Sequence, residues 1–574
     1  MTNTSTAPKR AASISRGWIA VALALTVQSY VLYYALHYGT LSGLLQWDDC
    51  VIVQRGLENL DRLEAGTSGF TMLRAAWRFD IHSPLSDIQT MVGLLLAGGN
   101  TWGPYLLNAL WLAVVLAALL QTFDRRSAVL ATAAILFVLF QPLTLNDLAD
   151  LKSDWSGGLL LAGALFVLTR AAQTAREDLK LWGAVLLGLA ILSKLTAFYL
   201  PVVAVAVVVS FEWYAAVLAR AHQAATGDAQ GAHILALAPS PSAVRIRRLR
   251  AVWVSIDRRA LVLRLLIAVG PFVLFFLHSA RQILSYIRSA TGSGWQDGLS
   301  VLGRARFYSP YGPDSAMEWG TLHICFLVFV AAALFVAWRR KQMSYPIALL
   351  LHLCIAALLI APLLVANSNH SFAATLLGVI VSATLISMDY VARSVPGRGV
   401  WAIPAVVLIC VLPASLPFKD SNYYSQFPVT PPQLRQIAVT YGRIVGEMAA
   451  QSRAGAPHVV IFYDHVFAPH PNIAIDYFRK TGRMPAIDRV DDLADPMVPN
   501  QLSSADFVLT IVPAPDSAGP VITDLYPSYP ISRDPARAEA VVAATGRFES
   551  LGTFGMPGGA VIHLYQPRKP DSQP

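Results

Sequence analysis

Long apolar runs broken by short polar stretches fill most of the chain up to residue 414. A helix that crosses a bilayer needs about 20 such residues. The first run lies at 17–38. Others follow at 102–122, 127–145, 155–172, 181–193 and on to 214, then at 260–280, up to Arg339, at 345–366, 371–390 and up to Pro413. The pattern predicts about eleven spans. Between the first two runs lies a long mixed stretch, 39–101. Within it, Pro84 to Ala97 is apolar but short for a span, and reads as an interfacial helix on the membrane surface.

After residue 415 the pattern changes. Residues 431–452 have helical periodicity and open on Pro431-Pro432, which suits a helix start. Residues 472–480 also look helical. His458–Tyr463, Phe507–Val512 and Gly559–Tyr565 are short apolar runs rich in β-branched and aromatic residues, and read as strands. Alternating strands and helices predict a small α/β domain over 415–574, behind a membrane domain over 17–414.

Composition agrees with this division. The chain is 55% hydrophobic and only 14% charged, against about 25% charged in a soluble domain. Its net charge of +9 would suit a nucleic-acid binder, but the placement of the charge argues otherwise. Lys and Arg sit in short clusters between apolar runs, as the positive-inside rule requires of a membrane protein. Lys9, Arg10 and Arg16 put residues 1–16 in the cytoplasm, so the first run reads as a signal anchor. Arg125-Arg126, Arg176 with Lys180, the cluster Arg245, Arg247, Arg248 and Arg250, Arg339–Lys341, and Arg393 with Arg398 then all fall inside. The stretch 39–101, the segment Asn146–Asp154, the stretch 281–318, the turn Asn367–His370 and the C-terminal domain fall outside. A multi-pass protein of the inner (plasma) membrane with a periplasmic C-terminal domain is expected. Four cysteines, three of them inside apolar runs, form no CxxC pattern and predict no disulfide framework.

Carboxylates just outside the membrane are the strongest chemical signal. Asp48-Asp49 follows the first span by about ten residues, and a carboxylate there can serve as a general base toward a hydroxyl. The plainer reading is a helix cap in a solvated loop. Asp147, Asp150 and Asp154, with Lys152 among them, form a second acidic segment on the same side. Two such segments facing one cavity could hold an acceptor, or a divalent metal such as Mg or Mn through Asp48 and Asp154; the alternative is a solvated turn in which Asp154 caps a helix. Lys194 is a lone cation between apolar runs, placed either to snorkel or to neutralise a phosphate. His278, Arg281 and Arg288 open the stretch 281–318. Arg281 and Arg288 share a helical face and could grip a lipid phosphate, or simply face solvent. His370 is a weaker candidate.

Six features then recur in order: the first span, Trp47-Asp48-Asp49, His82-Ser83-Pro84-Leu85, Lys152-Ser153-Asp154, the stretch Gly188–Thr196, and an α/β domain after about eleven spans. Together they resemble the GT-C superfamily of membrane glycosyltransferases, in particular the branch of protein O-mannosyltransferases and lipid A aminoarabinose transferases. The likeness is clearest over residues 17–215. It implies an α-helical polytopic enzyme that takes a sugar from a polyprenyl-phosphate donor and passes it to an extracytoplasmic acceptor, with inversion. It implies Asp48 as catalytic base, Asp154 as the second-loop acid, Lys194 at the end of the family's Gly-to-Lys stretch, and His82 in a His-Pro-Pro-Leu stretch whose first Pro is Ser83 here. The family's Asp-Glu pair is Asp-Asp here, which leaves the role of Asp49 open. Two other readings remain: a transporter or flippase of lipid-linked glycans, and a non-catalytic envelope assembly factor. The lack of a visible internal repeat, and acids gathered at one face rather than mid-bilayer, weigh against a transporter.

Overall fold

The computed structural model describes residues 7–45, 47–77, 84–123, 128–140, 144–145, 148–151, 153–193, 200–225, 252–292, 300–307, 320–363, 373–395, 397–415, 431–452, 455–462, 470–490, 493–512, 535–556 and 559–568. Its first part is helical throughout: α1 (Ala7–His37), α2 (Trp47–Glu64), α3 (Gly69–Ala76), α4 (Pro84–Leu96), α5 (Gly103–Leu106), α6 (Asn108–Thr122), α7 (Ala128–Phe140), α8 (Ser153–Thr174), α9 (Glu177–Ser193), α10 (Leu200–Ala225), α11 (Arg258–Gly292), α12 (Val301–Phe307), α13 (Gly320–Arg340), α14 (Ser344–Leu363), α15 (Ala373–Ser394) and α16 (Ala402–Ser415). Among the described residues, eight helical stretches are long and apolar enough to cross a membrane; α7 and the stretch Gly399–Val411 are apolar but shorter. The protein is a polytopic membrane protein.

Two helices form the centre of the bundle. The apolar window of α8 is wholly buried and that of α15 is 89% buried, whereas the windows of α11 and α13 are each only 22% buried and face outward. Small residues let α8 and α15 meet backbone to backbone. A Cβ on Gly158 would stand 2.2 Å from the Ala374 carbonyl oxygen, and one on Gly378 would stand 2.3 Å from that of Gly158. Such small-residue contacts drive helix association where lipid removes the hydrophobic gain. Beyond the tight turn at Ala175-Arg176, α9 packs back along α8. The end of α9 at Ser193 therefore returns toward the end at which α8 begins.

The C-terminal part holds α17 (Pro431–Gln451), β1 (His458–Phe462), α18 (Pro471–Thr481), β2 (Ala486–Arg489), α19 (Val498–Ser504), β3 (Phe507–Val512), α20 (Pro535–Ala544), β4 (Phe548–Gly555) and β5 (Val561–Pro567). The sheet order is β2-β1-β3-β5-β4, with β1 parallel to β2 and β3, and β5 antiparallel to β3 and β4. Three strands were expected and five are present among the described residues. The two additions, β2 and β4, are the edge strands, whose half-exposed residues lack the continuous apolar run that marks a buried strand. Two helices, α2 and α3, also occupy the stretch 39–101. The stretch 281–318 is not simply a loop: helix continues past a non-helical Ser279 to Gly292, and α12 follows.

Candidate functional site

The acidic pair sits in the first turn of α2, at its second and third positions. Acidic side chains are favoured there by the unpaired N–H groups and the positive end of the helix dipole. Asp49 is buried, 6% exposed. One carboxylate oxygen accepts from the Tyr105 hydroxyl at 2.7 Å, the other from the Leu151 backbone N–H at 3.1 Å. Leu151 lies three residues before Asp154. The Asp49 carboxylate thus joins the first acidic segment to the second, and Asp48 and Asp154 flank that junction. The side chains of Asp48 and Asp154 themselves lie outside the described residues, as do His82, Asp147, Lys152, Lys194, His370 and the side chain of Arg288.

The second acidic segment hangs from polar side chains of two apolar helices. Gln28 of α1, fully buried, donates to the carbonyls of Tyr105 at 2.8 Å and Leu148 at 2.9 Å. Asn108 of α6 donates to the carbonyls of Leu148 at 3.0 Å and Asp150 at 2.9 Å. Gln89 of α4 donates to Asn108 Oδ1 at 2.7 Å, and the Trp111 indole donates to Gln89 Oε1 at 2.6 Å. A buried amide left unpaired would cost about 1–3 kcal/mol, so each of these groups fixes its neighbours firmly. None of Gln28, Gln89, Asn108 or Tyr105 was singled out from the sequence. The available signal was polarity within an apolar run, a default mark of function in a membrane helix.

His278 and Arg281 are exposed on α11 and make no hydrogen bond or ion pair among the described residues. They flank the Ser279 kink, and Arg281 and Arg288 lie in the helical segment beyond it. One turn before His278, Phe275 packs edge-on against Trp77 at 5.9 Å. Trp77 closes the described stretch 47–77, so this contact ties the end of that stretch to α11. Among the described residues, no three of His, Cys, Asp and Glu gather as a metal-ligand group. The carboxylates of Asp48 and Asp154 have the hard oxygen chemistry that Mg or Mn prefers.

Residues 82–228 match the family model described as dolichyl-phosphate-mannose-protein mannosyltransferase. That segment runs from His82 through the second acidic segment and Lys194, and covers about a quarter of the chain. Over that segment the chain is similar in sequence to this family. Among solved structures, ArnT from Cupriavidus metallidurans bound to undecaprenyl phosphate matches with a TM-score of 0.54 at 12% identity, over 96% of this chain and 98% of that one. The apo form of the same protein matches with a TM-score of 0.51 at 13% identity and the same coverage. No curated protein matches the chain at a significant level. The likeness to these two structures extends over both the helical part and the smaller C-terminal sheet region of this chain.

Proposed function

We propose that this chain is an integral-membrane glycosyltransferase that takes a sugar from a polyprenyl-phosphate-linked donor and transfers it to an extracytoplasmic acceptor. The observation that carries the reading is the Asp49 junction, which brings the segment bearing Asp48 to the segment bearing Asp154. The family match over 82–228 and the ArnT likeness support it, since that relative holds undecaprenyl phosphate. In this reading Asp48 is the general base and takes the proton of the acceptor hydroxyl. The resulting oxygen attacks the anomeric carbon from the face opposite the phosphate, and the configuration inverts. Negative charge grows on the departing phosphate. Lys194, Arg281, Arg288, His278 and His82 are the candidate cations and donors for it, and they accelerate the step to the degree that they bind the transition state more tightly than the donor. Asp49 serves as the junction rather than as the base.

The acidic end faces the extracytoplasmic side in this reading, and the C-terminal unit with it. The basic turns Arg176–Lys180, Arg339–Lys341 and Arg393 mark the opposite, cytoplasmic face of an inner membrane. A divalent metal, if used, would be held by Asp48 and Asp154 and would neutralise phosphate charge; a pyrophosphate donor needs this more than a monophosphate donor does.

The test is transfer of labelled hexose or pentose from undecaprenyl-phosphate sugars by the purified protein in proteoliposomes. Wild-type transfer with loss in Asp48→Asn is expected, and full activity in that variant removes Asp48 from the mechanism. Repeating the assay with chelator decides the metal: loss restored by Mg or Mn indicates a metal enzyme, and unchanged transfer indicates that side-chain cations suffice. Substrate transport with no glycosyl product would replace the reading with that of a flippase.

A further inference from the structure

The C-terminal unit grips the chain just before the acidic pair at three points. Asn472, in the first turn of α18, is 2% exposed. Its side-chain amide donates to the Leu45 carbonyl at 2.8 Å and accepts from the Leu45 N–H at 3.2 Å. One side chain thus satisfies both polar groups of a backbone residue 427 positions away, as a neighbouring strand would. Two residues after Leu45, α2 begins, and Asp48 is its second position. At the second point Gly43 meets α17. A Cβ there would stand 2.7 Å from the Leu434 carbonyl carbon, so only glycine allows the approach. At the third, Arg435 reaches the His37 carbonyl at 3.4 Å and the Ser42 hydroxyl at 3.5 Å.

Beneath these contacts runs a shared apolar core. Ile475 of α18 is buried with Leu45, Cys50, Ile52, Val53 and Leu57, and the same cluster contains Tyr105 and Leu151. The last two are the hydrogen-bond partners of Asp49. One continuous packing unit therefore runs from α18, through the first turns of α2, to the junction between the two acidic segments.

We propose that Asn472 is a positioning residue, through which the C-terminal unit sets the entry angle of α2 and so aims Asp48; the inference rests on the glycosyltransferase reading above. The paired amide fixes both the register and the direction of the chain at Leu45, which an apolar contact alone would leave free to slide. A shift of about 1 Å in a reacting group can cost about 100-fold in rate, and little in binding of the lipid donor.

The test uses the full-length protein and three variants. Asn472→Ala removes both bonds. Asn472→Asp keeps the volume and the acceptor but loses the donor. Gly43→Ala pushes from the other side of the contact. Hydrogen exchange is read on peptides covering residues 45–52, with 458–462 and 507–512 as the folding control. In Asn472→Ala and Gly43→Ala, exchange at 45–52 is expected to rise about tenfold while the control strands stay protected. In the transfer assay kcat is expected to fall about tenfold to 100-fold, with KM for the undecaprenyl-phosphate sugar within about twofold of wild type. Asn472→Asp is expected to fall between. Unchanged exchange at 45–52, or an unchanged kcat in both Asn472 variants, overturns the inference. A raised KM at constant kcat also overturns it, because it assigns α18 to donor binding. If wild-type protein transfers no sugar, the glycosyltransferase reading fails by itself, and exchange alone then decides whether α18 holds α2.

Discussion

Arg170, near the end of α8, meets Asp389 of α15 at 3.0 Å, and Arg393 meets the same carboxylate at 3.1 Å. On the same face Arg264 pairs with both Glu177 and Glu212, and Lys180 reaches them at 2.8 and 3.2 Å. Some 24 Å away, at the start of the same helix, the loop before Asp154 is held in a different way. Its carbonyls are bound by the amides of Gln28 and Asn108, and its Leu151 N–H by Asp49. The first region pairs Arg170, Arg264 and Lys180 with carboxylates of opposite charge, an arrangement that suits anchoring. The second fixes its backbone mainly with neutral donors. The comparison teaches where to look in a polytopic chain: at the buried polar groups that hold a loop, rather than at those that neutralise each other.

The comparison can be broken most forcefully at Asp48. Asp48→Asn is expected to lower transfer by about 100-fold to 10,000-fold, the usual share of a general base, with unchanged folding in detergent. At the opposite end, Asp389→Ala leaves Arg170 buried without its carboxylate. Such a loss costs about 3–5 kcal/mol, so a sharp drop in Tm is expected, with unchanged turnover per folded molecule. If Asp389→Ala instead lowers turnover at constant Tm, the division between anchoring and working ends fails. Tyr105→Phe removes one hydrogen bond to the buried Asp49 carboxylate. A loss of about 1.5–3 kcal/mol of local stability is expected, read as faster amide exchange at Leu151 together with a moderate fall in kcat.

The smallest effect concerns Asp476 on α18. Burial pushes its carboxyl above the usual carboxylate range, partly offset by Arg479 at 4.0 Å. A raised folded value means that the native state holds more protons than the unfolded one just above that range. The C-terminal unit should therefore gain stability as pH falls through that window and lose it as pH rises. Asp476→Asn is expected to flatten this slope, as followed by protection of the β1 and β3 amides at pH 4 to 7.

Much of the helical fold was legible because apolar length is a strong signal: every one of the long runs carries a helix. The region 39–101 was harder. Its polarity reads as loop, yet Cys50, Val53, Leu57 and Leu60 are all buried and recur at helical spacing, marking one face of α2. The sheet was legible at β1, β3 and β5, which bury apolar side chains, and not at the edges. The acidic segments stood out by charge alone. Their supports did not, because the roles of Gln28, Asn108 and Asn472 depend on partners 120, 40 and 427 residues away. No local pattern carries information of that range.

The most direct test of the central claim is single-turnover transfer from a radiolabelled undecaprenyl-phosphate sugar, comparing wild type with Asp48→Asn and Asp389→Asn in the same proteoliposomes. The account predicts that wild type and Asp389→Asn form product at similar rates per folded molecule, while Asp48→Asn binds the donor and forms almost none. Comparable product from Asp48→Asn, or loss confined to Asp389→Asn, would contradict it.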